Sequence, residues 1–276
     1  MGAGGFGIDD LDGATALALL EWQIELGADV PMLDTPADRF AESAARPTAA
    51  PSPPAAPAPA PRAAAPIDAP HADVVVEAEA LAAAVADLPA LAAAQEGFDG
   101  IALKRGARNF VFADGRPGAR VMIIGEAPGE EEDQHGKPFV GRAGQLLDQM
   151  FAAIGMERHA PDAERALYIT NVLPWHPPGN RRPEATEIAA SLPFLSRHVE
   201  LAGPDVLVLM GNSACKAVLG REGITRLRGN WVSAFGRPAL PMTHPAYLLR
   251  TPIAKREAWA DLLSLRDWLD GHPAKV

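Results

Sequence analysis

The segment Val121-Met-Ile-Ile-Gly-Glu-Ala-Pro-Gly129 is the most informative in the chain, because an apolar run passes there directly into a loop that contains two glycines. Val121–Ile124 is predicted to be a buried strand. The acidic run Glu130–Asp133 and the segment Gly136–Gly144 follow, and a helical pattern then begins at Gln145. Ligands of open α/β sheets bind at the carboxyl ends of strands, and glycine lets the backbone approach a ligand closely. The functional site is therefore expected at this loop.

Strand and helix patterns alternate along the chain from about residue 77. Further strands are predicted at Tyr168–Val172, Val206–Met210 and Ala239–Met242. The predicted helices between and around them cover roughly residues 77–95, 143–154, 184–201, 212–219 and 255–270. Alternating strands and helices indicate a parallel sheet with helices on both faces. We predict an α/β fold with three α/β/α layers and a central, mostly parallel sheet of about four strands.

The N-terminal part of the chain has a different composition. Residues 1–35 are predicted to hold a short helical segment, because apolar side chains recur there at helical spacing. Residues 36–76 are predicted to be a disordered linker, since 19 of the 24 residues in 47–70 are alanine or proline. A catalytic domain would then occupy residues 77–276. The N-terminal helix could dock on a protein partner, or it could pack weakly or not at all.

Cysteine content and hydropathy limit the class of protein. Cys215 is the only cysteine in 276 residues, which excludes an internal disulfide and a thiolate metal cluster. No apolar run approaches the roughly 20 residues that span a bilayer, and no signal peptide pattern is visible. We therefore predict a cytoplasmic, monomeric protein without a membrane association.

The formal net charge of −10 argues against a nucleic-acid partner only if the charge is spread evenly. Residues 1–78 carry 12 acidic and 3 basic side chains, so the remainder of the chain is almost neutral. That remainder contains basic runs such as Arg181-Arg182 and Lys255-Arg256. The local field matters more than the total charge for docking onto phosphates. Binding to nucleic acid therefore stays open, and ordinary solvated arginines are the alternative.

Three short patterns indicate other functions only weakly. Gly2-Ala-Gly-Gly-Phe-Gly7 matches the dinucleotide pattern G-x-G-x-x-G, but no strand precedes it. The segment from Gly129 to Lys137 has the wrong spacing for a P-loop, and Pro138 stands where a Ser or Thr would hold magnesium. Glu130–Asp133 could bind a divalent cation, although a solvated or helix-capping run is the favoured interpretation. We predict no metal site.

Candidate side chains follow the other predicted strands. Asn171 ends one strand, and its amide offers a donor and an acceptor side by side. Met210-Gly-Asn-Ser213 leads from a strand into a helix N-terminus, where amides favour an anion. His244 follows the last strand and could act as an acid, a base or a donor. Each has a structural alternative, but their order at the strand ends of one sheet favours a single site.

The segments GEAPGEEEDQHGKPFVGRAGQLLD, YITNVLPWHPPGNRRP and HPAYLLR resemble the family 4 uracil-DNA glycosylases of bacteria and archaea. The resemblance covers roughly residues 100–270. It implies that the protein flips uracil out of DNA and hydrolyses its N-glycosidic bond, leaving an abasic site in base excision repair. Uracil-containing DNA is the implied partner.

The resemblance also implies roles for individual residues. The implied catalytic residues are Glu126, His244 and Glu132. The implied contacts to uracil are Ala127, Gly129, Phe139 for stacking and Asn171 for the edge of the base. The implied contacts to DNA are Leu248, Leu249, Arg250 and Arg142, the first three as a wedge that fills the space of the flipped base.

The chain departs from the family at the [4Fe–4S] cluster that family members usually hold. The positions that align with the four cysteine ligands are Phe98, Ile101, Trp175 and Ser191, and none of them can ligate iron through a thiolate. We expect the cluster to be absent and apolar packing of Phe98, Ile101 and Trp175 to replace it.

Three other functions remain as alternatives. The chain could be a non-catalytic or altered-specificity binder of uracil-containing or single-stranded DNA. It could be a nucleotide or phosphate hydrolase that uses the acidic loop. The relative that traps DNA covalently through a histidine is disfavoured, because its Lys-Arg-Arg-Ile-His segment has no counterpart after Asn171.

Overall fold

The computed structural model describes residues 69–272, with side chains from residue 73 onward. The predicted N-terminal helical segment and most of the predicted linker lie outside the described residues. The first described helix begins at Ala69, ahead of residue 77, where the sequence analysis placed the start of the domain. None of the helices in 69–272 is long and apolar enough to cross a membrane.

One six-stranded sheet forms the centre of the domain, in the order β1-β3-β2-β4-β6-β5. The strands are β1 (Asp114–Gly115), β2 (Val121–Gly125), β3 (Leu167–Asn171), β4 (Val206–Met210), β5 (Val232–Ala234) and β6 (Arg237–Met242). The four inner strands run parallel, and the two edge strands are antiparallel to their neighbours. The predicted mostly parallel sheet is confirmed, with two short edge strands added.

Helices connect the strands and precede them. They are α1 (Ala69–Ala83), α2 (Leu88–Gly97), α3 (Glu130–His135), α4 (Arg142–Ala152), α5 (Ala185–Ala202), α6 (Gly211–Leu219), α7 (Ile224–Leu227), α8 (Pro245–Arg250) and α9 (Lys255–Gly271). The single helix predicted over 77–95 was wrong. The chain breaks there, and Asp87 caps a new helix by accepting the Ala90 amide at 2.8 Å.

Alternate residues of the buried strands point to two separate hydrophobic cores. Val121 and Ile123 pack in the core that contains α4 and α9, whereas Met122 and Ile124 pack in the core that contains α1, α2 and α5. Because side chains alternate along a strand, this division places helices on both faces of the sheet. The predicted three-layer α/β/α architecture is confirmed.

The carboxyl ends of the parallel strands lie along one edge of the sheet. Gly125 of β2 stands in register beside Asn171 of β3. On the other side of β2, Met210 of β4 pairs with Met242 of β6. The loops that carry the candidate residues therefore leave the sheet from a common edge.

Candidate active site

A cavity of about 570 Å³ opens at this edge of the sheet. Its volume lies within the range of small-molecule sites, roughly 300–1,000 Å³. It is lined by Glu126, Ala127, Pro128, Gly129, Glu132, Phe139, Ala143, Asn171, Pro177, Asn180, Arg181, His244, Ala246, Tyr247 and Arg250. The structure thus brings together all of the residues that were predicted for catalysis and for contacts to uracil.

Asn171 and Phe139 meet above Gly125, which is the reason that a glycine stands there. A Cβ atom on residue 125 would collide with Oδ1 of Asn171 and would lie 2.6 Å from the Phe139 ring. Asn171 is 6% exposed, yet none of the described residues hydrogen-bonds to its side-chain amide. In the described residues, every fully buried side-chain N or O atom has a hydrogen-bond partner. The amide of Asn171 has none, so it is not fully buried, and because Asn171 lines the cavity the amide faces it. It is free to bind a ligand.

Phe139 adopts an unusual backbone conformation that aims its ring at the cavity. Its φ angle is 53°, in the left-handed region that bulky residues rarely adopt. The Arg158 guanidinium donates to the carbonyl oxygens of Phe139 at 2.8 Å and Pro138 at 3.2 Å. A Cβ on Gly144 would collide with the Phe139 carbonyl. Such strain typically costs about 1–3 kcal/mol, so the contacts around the loop must hold it.

Arg158 is itself held by two carboxylates, and nothing in the sequence pattern indicated this network. Its guanidinium donates to Asp114 and to Asp148, each at 2.9 Å. Burial is the largest single influence on Asp114 and favours its neutral form. The hydrogen bonds from Arg158 and from the Gly115 amide, with the charges of Lys137 and Arg158, together outweigh burial, so the pKa of this carboxyl is lowered. The network fixes the loop that carries Phe139 against the edge strand β1.

His244 caps helix α8 with its own side chain. Its Nδ1 atom accepts the backbone N–H of Ala246 at 3.1 Å, so Nδ1 carries no proton in this arrangement. The proton of the neutral ring is therefore on Nε2. The His244 ring lies 5.5 Å from the Phe139 ring, centroid to centroid. Since Phe139 and His244 line the same cavity, the Nε2–H group is available as a hydrogen-bond donor there.

The surroundings of His244 keep the imidazole neutral. The pKa of His244 is lowered to about 4, mainly by burial and to a smaller extent by the charge of Arg250, while the charge of Glu132 partly opposes both. Protonation at Nδ1 would also place a hydrogen against the Ala246 N–H and break the cap. A neutral donor of this kind can stabilise a developing negative charge without first losing or gaining a proton.

We expect His244 of the free protein to stay neutral from pH 8 down to about pH 5, because its pKa lies near 4. The native state binds fewer protons at His244 than the unfolded chain does, so this group removes stability as the pH falls below about 6.5. Nuclear magnetic resonance of the ring nitrogens, assigned with His244→Gln, checks this. A titration midpoint near 6.5 in the folded protein would contradict it.

Glu126 is half-buried on the cavity wall and follows β2 directly. Its backbone carbonyl accepts the Leu173 amide at 3.1 Å, which ties the loop after β2 to the loop after β3. Among the described residues none donates a hydrogen bond to its carboxylate. The carboxylate is therefore free to act on a ligand or on water.

Glu132 lines the same cavity, but its carboxylate is occupied. One oxygen accepts the Gly129 amide at 3.1 Å, and the other accepts the amides of Val140 at 3.0 Å and Gly141 at 2.9 Å. These bonds join the start of α3 to the loop after Phe139. Glu132 therefore shapes the two walls of the cavity that carry Gly129 and Phe139.

Asp133, the last residue of the acidic run, is also held by backbone amides. Asp133 accepts the amides of Arg108 at 2.9 Å and Asn109 at 3.1 Å. Glu130–His135 forms helix α3, and its acidic residues lie in the first turn, where the helix dipole favours negative charge. In the described part of the chain, no group of three or more His, Cys, Asp and Glu residues could hold a metal ion. The helix-capping interpretation of this run is the one that the structure supports.

The loop after β3 carries Arg181 to the rim of the cavity. Arg181 donates to both oxygens of Glu187, at 2.9 and 2.5 Å. Burial alone would raise the pKa of Glu187, but the bond and charge of Arg181 and the Glu184 amide together outweigh it, so this pKa is lowered. His176 bonds through Nδ1 to the Pro128 carbonyl at 2.9 Å and joins this loop to the loop after β2. From the sequence, Arg181 is predicted only as one of the basic residues that could dock onto phosphates.

The predicted wedge on α8 needs a correction. Leu248 is 1% exposed and packs in the hydrophobic core with residues of α4 and α9. It cannot enter DNA without leaving that core, so this conformation does not support its predicted DNA contact. Leu249 is 37% exposed but does not line the cavity, whereas Arg250 does. Arg142 is exposed at the start of α4, away from the cavity lining, and its DNA contact stays a prediction.

A model of the uracil DNA glycosylase superfamily matches residues 112–263, which is more than half of the chain. The chain belongs to this superfamily. The match contains every one of the seven residues predicted for catalysis and for contacts to uracil.

This chain matches individual members of the superfamily over about three quarters of their length. A type-4 uracil-DNA glycosylase of Sulfurisphaera tokodaii is 37% identical over 169 residues, which are 58% of this chain and 74% of the relative. The type-4 enzyme of Thermotoga maritima is 40% identical over 147 residues, 51% and 72% of the two chains. The type-4 enzyme of Saccharolobus solfataricus is 35% identical over 176 residues, which are 60% of this chain and 79% of the relative.

The residues of this superfamily member do not fit an iron–sulfur cluster. Phe98, Ile101 and Trp175 are 2% exposed or less and share one hydrophobic core. Ser191 is fully buried and donates to the Val172 carbonyl at 2.6 Å. Cys215 lies elsewhere, inside α6, where burial raises the pKa of its thiol to about 11. A thiolate cluster needs several deprotonated cysteines, which this chain does not have.

Proposed function

We propose that this protein is a uracil-DNA glycosylase that hydrolyses the N-glycosidic bond of uracil in DNA and leaves an abasic site for base excision repair. The observation that carries the proposal is the cavity in which the unpartnered Asn171 amide, the Phe139 ring and the His244 donor meet. Membership of the superfamily and the names of the type-4 relatives support it.

The pocket can bind a flipped pyrimidine by stacking and by reading its edge. A base in a duplex is out of reach, so it must leave the stack before it is bound. Phe139 offers an aromatic face for it. The Asn171 amide can donate to O4 of uracil and accept from N3–H. Cytosine presents an amino group and an unprotonated N3 at these positions, so the same amide would oppose it.

Bond cleavage moves the glycosidic electron pair onto the base. The N1–C1′ bond breaks, the sugar becomes oxocarbenium-like, and the negative charge of uracil spreads to O2. The neutral His244 ring donates its Nε2–H to O2 and stabilises that charge. Glu126 stabilises the cationic sugar or orients the water that adds to C1′. Glu132 acts by positioning the walls of the pocket through its three amide bonds rather than by touching the sugar.

An assay on labelled oligonucleotides tests this function. Substrates that contain uracil, hypoxanthine or cytosine are incubated with the full chain, with and without EDTA, and are then treated with alkali. We expect strand breaks at uracil that do not depend on a divalent metal. A shift in gel mobility without breaks would identify a binder instead, and metal-dependent hydrolysis of free nucleotides would identify a hydrolase of another class.

We further propose that no iron–sulfur cluster is part of this protein and that an aromatic core takes its structural place. The Phe98 ring packs 5.3 Å from the Phe194 ring, and the Trp175 ring packs 5.3 Å from the Phe110 ring. Gly100 lies directly beneath the Phe98 ring, where a Cβ would collide with it. Close packing of this kind can stabilise a loop without a metal.

Replacing Phe98 with alanine is expected to lower the free energy of unfolding by about 3–5 kcal/mol, because it opens a cavity in this core. Denaturant unfolding measures the change. The matched control is Val76→Ala on α1, where the side chain is 61% exposed. An iron chelator should leave the unfolding midpoints of both variants unchanged. Absorbance near 400 nm with stoichiometric iron, or a loss below about 1 kcal/mol for Phe98→Ala, would contradict the proposal.

The cytoplasmic location and the monomeric state predicted from the sequence belong to this proposal as well. Both are compatible with a repair enzyme that acts on DNA as a single subunit. Light scattering of the full chain would measure the oligomeric state directly.

A further inference from the structure

We infer that Tyr247, rather than either leucine of the segment Tyr247-Leu-Leu-Arg250, enters the space that a flipped nucleotide leaves in the DNA duplex. This inference rests on the proposed function and concerns the same site. It assigns a positioning role to a residue that does not react with the base.

The geometry of α8 decides which side chains can reach the DNA. The helix follows His244 directly, and its Tyr247 amide donates to the His244 carbonyl at 2.9 Å. Ala246, Tyr247 and Arg250 all line the cavity, so one face of α8 forms part of its rim. Leu248 faces the opposite way into the core and anchors the helix against α4 and α9.

Leu249 lies on a different side of α8 from Tyr247. Residues in a helix are rotated by about 100° each, so Leu249 lies about 200° around α8 from Tyr247. It is partly exposed, but it does not line the cavity. Tyr247 is 42% exposed at the rim, and its backbone is part of helix α8.

The chemistry of the Tyr247 side chain suits the role. A nucleotide that enters the cavity leaves a gap between two base pairs directly in front of the rim. An aromatic ring can stack on the bases that border this gap, and such stacking tolerates any sequence. Tyrosine also keeps its hydroxyl in water while its ring is covered. Arg250, on the same face, lies beside it as a cation.

The test compares duplex and single-stranded substrates that contain one uracil. In single-turnover assays Tyr247→Ala should excise uracil from a duplex about tenfold more slowly or worse, and from a single strand at nearly the wild-type rate. Tyr247→Phe should retain the duplex rate, since the ring remains. The matched control is Trp259→Ala, an aromatic residue that is 43% exposed outside the cavity lining.

Two further results separate a wedge from a merely structural residue. A pyrene nucleotide opposite the uracil fills the gap chemically, so it should restore the duplex rate of Tyr247→Ala. Leu249→Ala should lose less than Tyr247→Ala on the duplex. An unchanged duplex rate for Tyr247→Ala, an equal loss on both substrates, or a larger loss for Leu249→Ala would overturn the inference.

Failure of the proposed function gives a different result. If the wild type excised uracil from neither substrate, the glycosylase proposal would fail. The wedge would still be tested by 2-aminopurine placed next to the uracil, whose fluorescence rises when the neighbouring base unstacks. That rise should be present for the wild type and for Tyr247→Phe, and an equal rise for Tyr247→Ala would overturn the inference.

Discussion

Replacement of His244 by alanine is expected to lower the single-turnover rate of uracil excision by about 10²–10³-fold, the usual loss when one donor to a developing oxyanion is removed. The ring is held with Nε2–H available, because Nδ1 accepts the Ala246 amide. Its pKa of about 4 keeps it neutral at physiological pH, so the donor is present before the bond breaks. Alkali-labile breaks at a single uracil measure the rate.

The loss must come from the missing donor and not from a disordered α8. Asparagine at position 244 can still cap a helix, since Asn is among the preferred N-cap residues, so His244→Asn serves as the control for folding. His244→Asn should melt close to the wild type, and His244→Ala should lose no more than the roughly 0.5–2 kcal/mol that a missing helix cap costs. A wild-type excision rate in His244→Ala would refute the assigned role.

Replacement of Asn171 by aspartate is expected to lower uracil excision by about 10²-fold or more, because a carboxylate has no donor for O4 of uracil. The same carboxylate can accept from the amino group of cytosine, so the preference for uracil over cytosine should fall. Burial raises the pKa of a carboxyl group at this position, and the protonated form is a donor again. Excision of uracil by this variant should therefore recover as the pH falls.

Asn180→Asp makes the same chemical change at the exposed rim of the cavity and is the matched control. It should leave the ratio of uracil to cytosine excision unchanged. If Asn171→Asp cleaves both substrates as the wild type does, Asn171 does not read the base, and the specificity must come from another wall of the pocket.

The sequence predicted the parallel strands and the set of cavity residues because local patterns encode both. Four apolar runs defined β2, β3, β4 and β6, and their carboxyl ends placed Asn171 and His244 at one edge. The edge strands β1 and β5 have two and three residues, too few for a periodic pattern to appear. Their pairing depends on neighbours that are distant in the sequence.

The sequence did not predict contacts that depend on how loops close. Glu132 reaches amides eight and nine residues further along, so its occupied carboxylate could not be foreseen. Arg158 holds the Phe139 backbone across a turn and a helix. Leu248 and Leu249 are adjacent apolar residues, and only the packing of α8 distinguishes the buried side chain from the exposed one. The position of Tyr247 at the cavity also follows from the packing of α8, so the sequence did not predict it.

The decisive experiment combines two measurements on one anaerobically purified sample of the 276-residue chain, its iron content and its single-turnover rate of uracil excision. We predict alkali-labile breaks at uracil from protein that contains no stoichiometric iron, with the rate unaffected by a chelator. Excision that is absent, or that is confined to an iron-bearing fraction, would contradict the account.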